Sequence, residues 1–282
     1  MESFNSQQHS KNKAKENLDE ERAVRSSLEK IKNKFLIMSG KGGVGKTSVS
    51  ANLAMALANK GYKVGLMDID IHGPDVPRMV GLTGMLEGTS DQKLIPIKYS
   101  PNLSVVSIES LMPNKDDAVI WRGPMKHSAI RQFVGDVLWG ELDYMIIDSP
   151  PGTGDEPLSV AQTISDAQAI IVTTPQEVAL ADVRKSIAFC NSVNMAIYGV
   201  IENMSGFVCP HCKQTVSLFG SGGGRRTAQA YNLRFLGQIP FDLNLVISGD
   251  KGLSFQKIFK NSEAAKAFDK IAQQLMGGRD GG

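Results

Sequence analysis

The amino-acid sequence predicts an α/β fold, in which a mostly parallel sheet carries helices on both faces. Short apolar segments typical of buried strands alternate along the chain with segments whose apolar residues recur at helical spacing. The strand segments are mainly apolar and show no strict alternation of polar and apolar residues, which is the pattern of strands buried on both faces. With 282 residues, 41% of them hydrophobic, the chain can bury a sizeable core.

The individual elements follow from local signals along the chain. Predicted strands cover residues 34–38, 63–70, 103–109, 143–148, 167–174, 196–201 and 234–239, and predicted helices cover residues 47–60, 121–138, 177–193 and 262–276. Gly61 stands where glycine commonly ends a helix, and Pro124 stands in a first helical turn, where proline is favoured. Residues 73–101 are predicted to be an irregular insertion and residues 204–224 a loop.

Residues 1–33 are predicted to be a polar N-terminal extension. The first 18 or so residues are rich in Gln, Ser, Asn and Lys and are expected to be disordered. Residues 18–32 could form a weakly amphipathic helix. No linker interrupts the alternation of strands and helices after this point, so residues 34–282 are predicted to be one domain.

Composition and charge favour a cytoplasmic protein and exclude several classes of function. The net charge of +2 gives no basis for nucleic-acid binding, and no run of 18 apolar residues exists that could cross a membrane. The N-terminus lacks the apolar stretch of a secretory signal and carries acidic residues, in which transit peptides are poor. Three cysteines are an odd number and do not indicate a disulfide framework.

The segment between the strand 34–38 and the helix 47–60 fits the phosphate-binding P-loop motif G-x-x-x-x-G-K-[ST]. The predicted nucleotide-binding residues are Gly40, Lys41, Gly42, Gly43, Val44, Gly45, Lys46, Thr47 and Ser48. Glycines let backbone N–H groups approach the phosphates, and the helix N-terminus favours negative charge. Lys46 would reach the β- and γ-phosphates, and Thr47 would hold Mg²⁺.

Four further polar residues follow predicted strands and should meet the P-loop at the carboxyl edge of the sheet. Asp148 ends an apolar strand, where a carboxylate can hold Mg²⁺ directly or through water. Asp68 and Asp70 end another strand, and either carboxylate could orient the attacking water. Asn203 follows a later strand. The prolines and glycines of residues 150–154 lie just after Asp148, at the position of a switch loop that senses the γ-phosphate.

Cys209 and Cys212 form a C-P-H-C motif that could bind one metal centre through two thiolates. Tetrahedral Zn²⁺ and a [4Fe–4S] cluster normally take four ligands. Cys190 lies in a predicted helix and is expected in the core, so the count favours a site shared by two subunits, to which His211 could add a ligand. From the residues alone, iron–sulfur and zinc are equally favoured. A thioredoxin-like redox pair and a chance C-x-x-C spacing are the weaker alternatives.

Lys41 is a second lysine in the P-loop, which ordinarily needs no cation after its first glycine. The sequence G-K-G-G-V-G-K-T resembles the deviant Walker A loop of the MinD, ArsA and nitrogenase iron-protein group. The resemblance implies a P-loop NTPase fold of the MinD (SIMIBI) type and a homodimer that encloses two ATP molecules. It also implies that Lys41 reaches the nucleotide of the other subunit, that Asp70 positions the water, and that Asn203 helps to recognise adenine.

Six further segments carry a second resemblance. They are D-I-D-I-H-G-P (68–74), W-R-G-P (121–124), D-S-P-P-G-T-G-D-E (148–156), V-T-T-P-Q (172–176), E-N-M-S (202–205) and C-P-H-C (209–212). Together with the P-loop, they resemble the Mrp/ApbC family of iron–sulfur cluster carrier ATPases over residues 34 to about 275. The resemblance implies that a homodimer binds a [4Fe–4S] cluster through Cys209 and Cys212. It also implies that slow ATP hydrolysis controls transfer of the cluster to apo-proteins, with an assembly scaffold as a further partner.

The residues are also compatible with two other functions. A MinD-like partitioning or positioning ATPase would need an amphipathic membrane helix or a basic DNA-binding patch. The predicted helix 262–276 carries Lys266 and Lys270 but also Glu263 and Asp269, so it is not a strongly basic interfacial helix. A zinc-bridged ATPase dimer would use the same two cysteines, and the metal content after anaerobic purification would separate it from an iron–sulfur carrier.

Overall fold

A computed structural model describes residues 18–277, apart from positions 72, 92, 112–122, 210 and 213. Its strands are β1 (Ile31–Met38), β2 (Val64–Asp68), β3 (Glu87–Gly88), β4 (Leu94–Ile95), β5 (Ile97–Ser100), β6 (Leu103–Ser107), β7 (Leu142–Asp148), β8 (Gln168–Thr173), β9 (Ile197–Glu202), β10 (Phe207–Val208), β11 (Thr215–Val216) and β12 (Phe235–Gln238). Its helices are α1 (residues 18–28), α2 (Lys46–Asn59), α3 (Val76–Val80), α4 (Gly123–Gly135), α5 (Asp155–Thr163), α6 (Glu177–Ser192), α7 (Gly223–Ala230), α8 (Leu243–Asp250), α9 (Phe255–Ile258) and α10 (Glu263–Met276).

Eight of these strands form one sheet in the order β12-β9-β8-β1-β7-β2-β6-β5. Neighbouring strands are parallel except β5 and β6, which are antiparallel. The register shifts between Lys98 and Ser100 in β5 and between Phe235 and Gly237 in β12, so both edge strands pair irregularly. The mostly parallel sheet with its helices confirms the predicted fold class.

The core consists of two layers, one on each face of the sheet. Phe35 and Ile37 of β1 join the layer that contains α2 and α10, whereas Leu36 and Met38 join the layer that contains α4, α5 and α6. Successive side chains of a strand point to opposite faces, so the apolar run from Phe35 to Met38 contributes to both layers. Among the described helices, none has the length and apolar character needed to cross a membrane.

Some predicted elements differ from the structure. The helix predicted over 18–32 ends at residue 28, because Ile31 is buried and pairs with Leu142 as the first residue of β1. The insertion predicted over 73–101 contains α3, a β3–β4 hairpin and the edge strand β5. β1 begins ahead of the predicted boundary at residue 34, and the division of the chain there stays a prediction. The disorder expected for the N-terminus falls on residues 1–17, outside the described residues.

The sequence patterns do not predict α5, α7, α8 or α9. α5 begins directly after a run of prolines and glycines, α7 opens with two glycines, and α8 and α9 are only 8 and 4 residues long. Short helices offer too few turns for helical periodicity to be recognised, and their stability comes from packing on larger elements.

Candidate nucleotide site and cysteine hairpin

The glycine-rich loop lies between the end of β1 and the start of α2. Gly43 and Gly45 both have a φ of +77°, a left-handed conformation that residues with a side chain rarely adopt. The loop lines a cavity of about 300 Å³, together with Asp70, Met79 of α3 and Pro151. The structure therefore groups the predicted P-loop, the predicted water-positioning acid and the predicted switch loop around one cavity.

Lys46, the first residue of α2, forms an ion pair with Asp148 at the end of β7, and both side chains are buried. Lys46 Nζ lies 2.8 Å from Asp148 Oδ1, which also accepts a hydrogen bond of 2.6 Å from Ser50 Oγ. Thr47 Oγ1 lies 3.4 Å from Lys46 Nζ. Buried charges are tolerated when they are paired and hydrogen bonded, and these contacts bring the predicted phosphate and metal residues together.

The donor set around Asp148 fits Mg²⁺. The Oδ2 atom of Asp148 is buried and has no hydrogen-bond partner among the described residues. Mg²⁺ prefers oxygen ligands and usually keeps several of its waters. The Asp148 carboxylate and the Thr47 hydroxyl could therefore hold a hydrated Mg²⁺, directly or through a water.

Asp68 and Asp70 occupy different environments. Asp68 is completely buried and accepts hydrogen bonds from Ser107 Oγ at 3.0 Å and from the backbone N–H groups of Asp70 at 3.1 Å and Val76 at 3.4 Å. Burial and the nearby negative charge of Asp148 raise the pKa of Asp68 well above its ordinary value. Asp70 instead lines the cavity at the P-loop. This placement favours Asp70 for the predicted water-positioning role and Asp68 for a structural one.

The predicted switch loop, residues 150–154, contacts the P-loop region, and the helix that follows it contacts α4. Gly152 donates a hydrogen bond from its N–H to Ser39 O at 2.8 Å, next to the P-loop, and has a φ of +92°. α5 follows the loop directly, and Glu156 in its first turn pairs with Lys126 of α4 at 2.7 Å. This ion pair is nearly buried and was not predicted. It links the end of the switch loop to α4.

Asn203 and Lys41 both lie at the P-loop. Asn203 is buried behind it, where Nδ2 donates to Val44 O at 2.8 Å, and a Cβ atom at Gly45 would collide with Nδ2. Lys41 is half-buried, and its ammonium has no ion-pair partner within the described part of the chain. The adenine contact of Asn203 and the intersubunit contact of Lys41 stay predictions.

Cys209 and Cys212 lie in the turn of a β-hairpin formed by β10 and β11, where the sequence predicts only a loop. Phe207 pairs with Val216, and the Cys209 N–H donates to Gln214 O at 2.9 Å. Cys209 is half-buried, Cys212 is exposed, and neither forms a disulfide. No group of three Cys, His, Asp or Glu side chains that could hold a metal ion is found in the described residues. A four-ligand centre at this hairpin would need more ligands than the described residues bring together there.

Cys190 lies in the core, as predicted. Its side chain is completely buried in α6, with Sγ 3.6 Å from Met38 Sδ. Burial raises the pKa of the Cys190 thiol to about 11. At neutral pH the residue is therefore a protonated, apolar part of the core and contributes nothing to the hairpin.

Glu202 is a completely buried carboxylate at the end of β9, and the sequence predicts no role for it beyond its place in the E-N-M-S segment. It accepts hydrogen bonds from four residues, which are Ser205, Gly222, Gly224 and Gln238. An acidic residue after an apolar strand, followed by a glycine cluster with available N–H groups, is the signal that could have indicated it.

Known proteins resemble this chain over most of its length. The family model described as ParA, NUBPL iron-transfer P-loop NTPase, matches residues 30–276. An iron-sulfur cluster carrier protein from Methanocaldococcus jannaschii is 47% identical over 254 residues, which cover 90% of this chain and 87% of the relative. A cytosolic Fe-S cluster assembly factor, the NUBP2 homolog of Dictyostelium discoideum, is 48% identical over 240 residues, which cover 83% of this chain and 91% of the relative.

Solved structures show the same fold. A nucleotide-binding protein from Archaeoglobus fulgidus, in complex with ADP, has a TM-score of 0.73 and 39% identity, and the match covers 82% of this chain and 91% of that chain. The cell division ATPase MinD from Pyrococcus furiosus has a TM-score of 0.64 and 23% identity, with 86% and 98% covered, and this likeness concerns the fold alone. The P-loop at the carboxyl edge of the sheet and the family match over most of the chain lead to one conclusion: the chain belongs to the family of NUBPL iron-transfer P-loop NTPases.

Proposed function

We propose that this chain binds and hydrolyses ATP, holds a [4Fe–4S] cluster between two copies of itself, and transfers that cluster to apo-proteins. The observation that carries the proposal is that one short segment, residues 202–212, both contacts the P-loop through Asn203 and supplies the paired thiols. The printed names of the relatives, iron-sulfur cluster carrier protein and cytosolic Fe-S cluster assembly factor, support the identity of the cargo.

The nucleotide chemistry follows from the residues around the cavity. The N–H groups of the P-loop and the Lys46 ammonium would bind the β- and γ-phosphates. Thr47 and Asp148 would hold Mg²⁺, which neutralises the charge on the transferred phosphoryl group when it is bound. Asp70 would orient the attacking water. Such an arrangement positions reactants and stabilises charge, without a covalent intermediate on the protein.

The homodimer belongs to the same proposal. Cys209 and Cys212 give each copy two thiolates, and two copies complete the four that a [4Fe–4S] cluster takes. The cluster would then bridge the two hairpins, and Lys41 of each copy would reach the nucleotide of the other. Apo iron–sulfur proteins and an assembly scaffold are the proposed partners, in the cytoplasm. The likeness of the E-N-M-S and C-P-H-C segments to Mrp/ApbC carriers supports this narrower assignment.

The rival membrane-positioning function has no comparable support. α10 is the amphipathic helix that would have to contact a membrane, but its apolar residues Phe268, Ile271 and Leu275 are buried in the core. A helix whose apolar face is already covered cannot insert that face into a lipid surface.

Anaerobic purification and reconstitution test the proposed function. We expect about four iron atoms per dimer, acid-labile sulfide and the broad visible absorbance of an iron–sulfur cluster. Cys209→Ser and Cys212→Ser should each lose the cluster, whereas the matched control Cys190→Ser should retain it, because Cys190 is buried away from the hairpin. Zinc in place of iron, or a cluster that persists in both hairpin variants, would overturn the proposal.

A further inference from the structure

Glu202 joins the two ends of the segment that carries the cysteines. Its Oε1 atom accepts hydrogen bonds from Ser205 Oγ at 2.5 Å, Gly222 N at 2.9 Å and Gln238 Nε2 at 2.9 Å, and its Oε2 atom accepts one from Gly224 N at 2.5 Å. Ser205 precedes the hairpin, and the two glycines follow it. One carboxylate therefore fixes both the point where the chain leaves the sheet toward the hairpin and the point where it returns.

The surroundings of Glu202 explain why a charged residue is stable there. Gly222 and Gly224 lie at the N-terminus of α7. Backbone N–H groups there have no partner within the helix, and together with the helix dipole they favour a negative charge. A Cβ atom at Gly224 would lie 3.1 Å from both Cβ and Oε2 of Glu202, so the absence of a side chain allows the close approach. Hydrogen bonds to an ionised acceptor are about twice as strong as those between neutral groups.

The next residue, Asn203, contacts the nucleotide loop. Its backbone N–H donates to Thr173 O at 2.7 Å, and its side-chain Nδ2 donates to Val44 O at 2.8 Å. Glu202 and Asn203 are adjacent, so the contact with the P-loop and the carboxylate that holds the cysteine segment lie one residue apart. A shift of the P-loop backbone at Val44 that displaces Asn203 would therefore act directly beside the base of the cysteine segment.

We propose that Glu202 is a positioning residue that holds the cysteine segment in register with the P-loop. Through Asn203, nucleotide bound at the P-loop then sets how exposed the thiols of Cys209 and Cys212 are. This inference rests on the proposed function for its biological meaning, since the thiols would hold the cluster that is transferred. It goes beyond that function by naming the contact through which the nucleotide acts on the ligands.

Thiol alkylation of the metal-free full-length chain tests the coupling directly. The rates at which iodoacetamide modifies Cys209 and Cys212 are measured by mass spectrometry, with and without Mg²⁺–ATP, under anaerobic conditions. In the unmodified chain we expect ATP to change these rates by about fivefold, the lower end of typical coupling between sites. In Glu202→Gln, which places an amide donor against N–H groups, ATP should bind with an affinity within about twofold of normal but leave the rates unchanged.

Two further variants make the result specific. Gln238 also donates to the Glu202 carboxylate, but it lies outside the cysteine segment. Gln238→Ala should therefore keep the full effect of ATP on the alkylation rates. Ser205→Ala removes the donor that precedes the hairpin and should reduce the effect of ATP on the alkylation rates. If Glu202→Gln does not fold, Ser205→Ala tests the coupling in its place. The inference is overturned if ATP leaves the rates unchanged in the original chain, or if Glu202→Gln and Ser205→Ala both respond to ATP as that chain does. Because no cluster is present, this result is independent of the cluster test above.

Discussion

Asp70 lines the nucleotide cavity, whereas Asp68 is buried behind it with a raised pKa. Replacing Asp70 by Asn removes the charge that would orient the attacking water and nearly preserves the shape of the side chain. We expect Asp70→Asn to bind ATP with little change and to hydrolyse it about 100-fold more slowly. Phosphate release and equilibrium ATP binding measure the two effects. Full turnover in Asp70→Asn, together with loss of turnover in Asp68→Asn, would show that Asp68 orients the attacking water.

The sequence predicts which residues could take part in the chemistry, but not which side chains hold them in position. The P-loop motif and the acids Asp70 and Asp148 predict a site at one edge of the sheet, because the carboxyl ends of parallel strands meet there, and the structure has a cavity at the P-loop. The pairing of Lys126 with Glu156 and the four donors around Glu202 depend on which distant segments pack together. No local pattern encodes such contacts, so the residues that position the site emerge only from the fold.

At the scale of the element, the P-loop contains two glycines with the same backbone conformation and different surroundings. Gly43 and Gly45 share a φ of +77°, but a Cβ atom at Gly43 would meet nothing within 4 Å, whereas one at Gly45 would collide with Asn203. Alanine at either position should cost about 1 kcal/mol through backbone strain. We expect Gly45→Ala to lose about 2 kcal/mol more, because Asn203 must shift.

Urea unfolding of Gly43→Ala and Gly45→Ala measures this difference, since both variants carry the same backbone strain. Equal losses of unfolding free energy in the two variants would show that the contact of Gly45 with Asn203 has little importance. The same contrast should appear in ATP affinity, because Asn203 supports the backbone of the loop at Val44.

Long buried strands were predictable and short peripheral elements were not. β7 and β8 are mainly apolar because both faces of the sheet are covered. Such a run can be recognised in the sequence without knowing which strands lie beside it. The hairpin of β10 and β11 has only two residues per strand, which is too short for a strand pattern to be recognised. Its pairing includes the hydrogen bond from the Cys209 N–H to Gln214 O. The surrounding segment contains a proline and a glycine cluster, so the sequence indicates a loop.

At the scale of the whole molecule, loading of the cluster should govern assembly. In the proposed dimer each copy would contribute two thiolates, so a bridging cluster would hold two chains together. We expect anaerobic size-exclusion chromatography with light scattering to show twice the chain mass of 30.5 kDa for the loaded protein. Cys212→Ser, treated in the same way without nucleotide, should show a larger monomer fraction. An identical distribution in the two proteins would mean that the hairpin does not join the copies.

The irregular pairing at both edges of the sheet has a consequence for how copies meet. Open strand edges invite another chain to add on through backbone hydrogen bonds, which leads to fibrous association. The register shifts near Lys98 in β5 and Phe235 in β12 interrupt the run of donors and acceptors that such addition requires. Association of copies through the sheet edges is thereby discouraged, so the proposed dimer would depend on the cysteine hairpins and the nucleotide site alone.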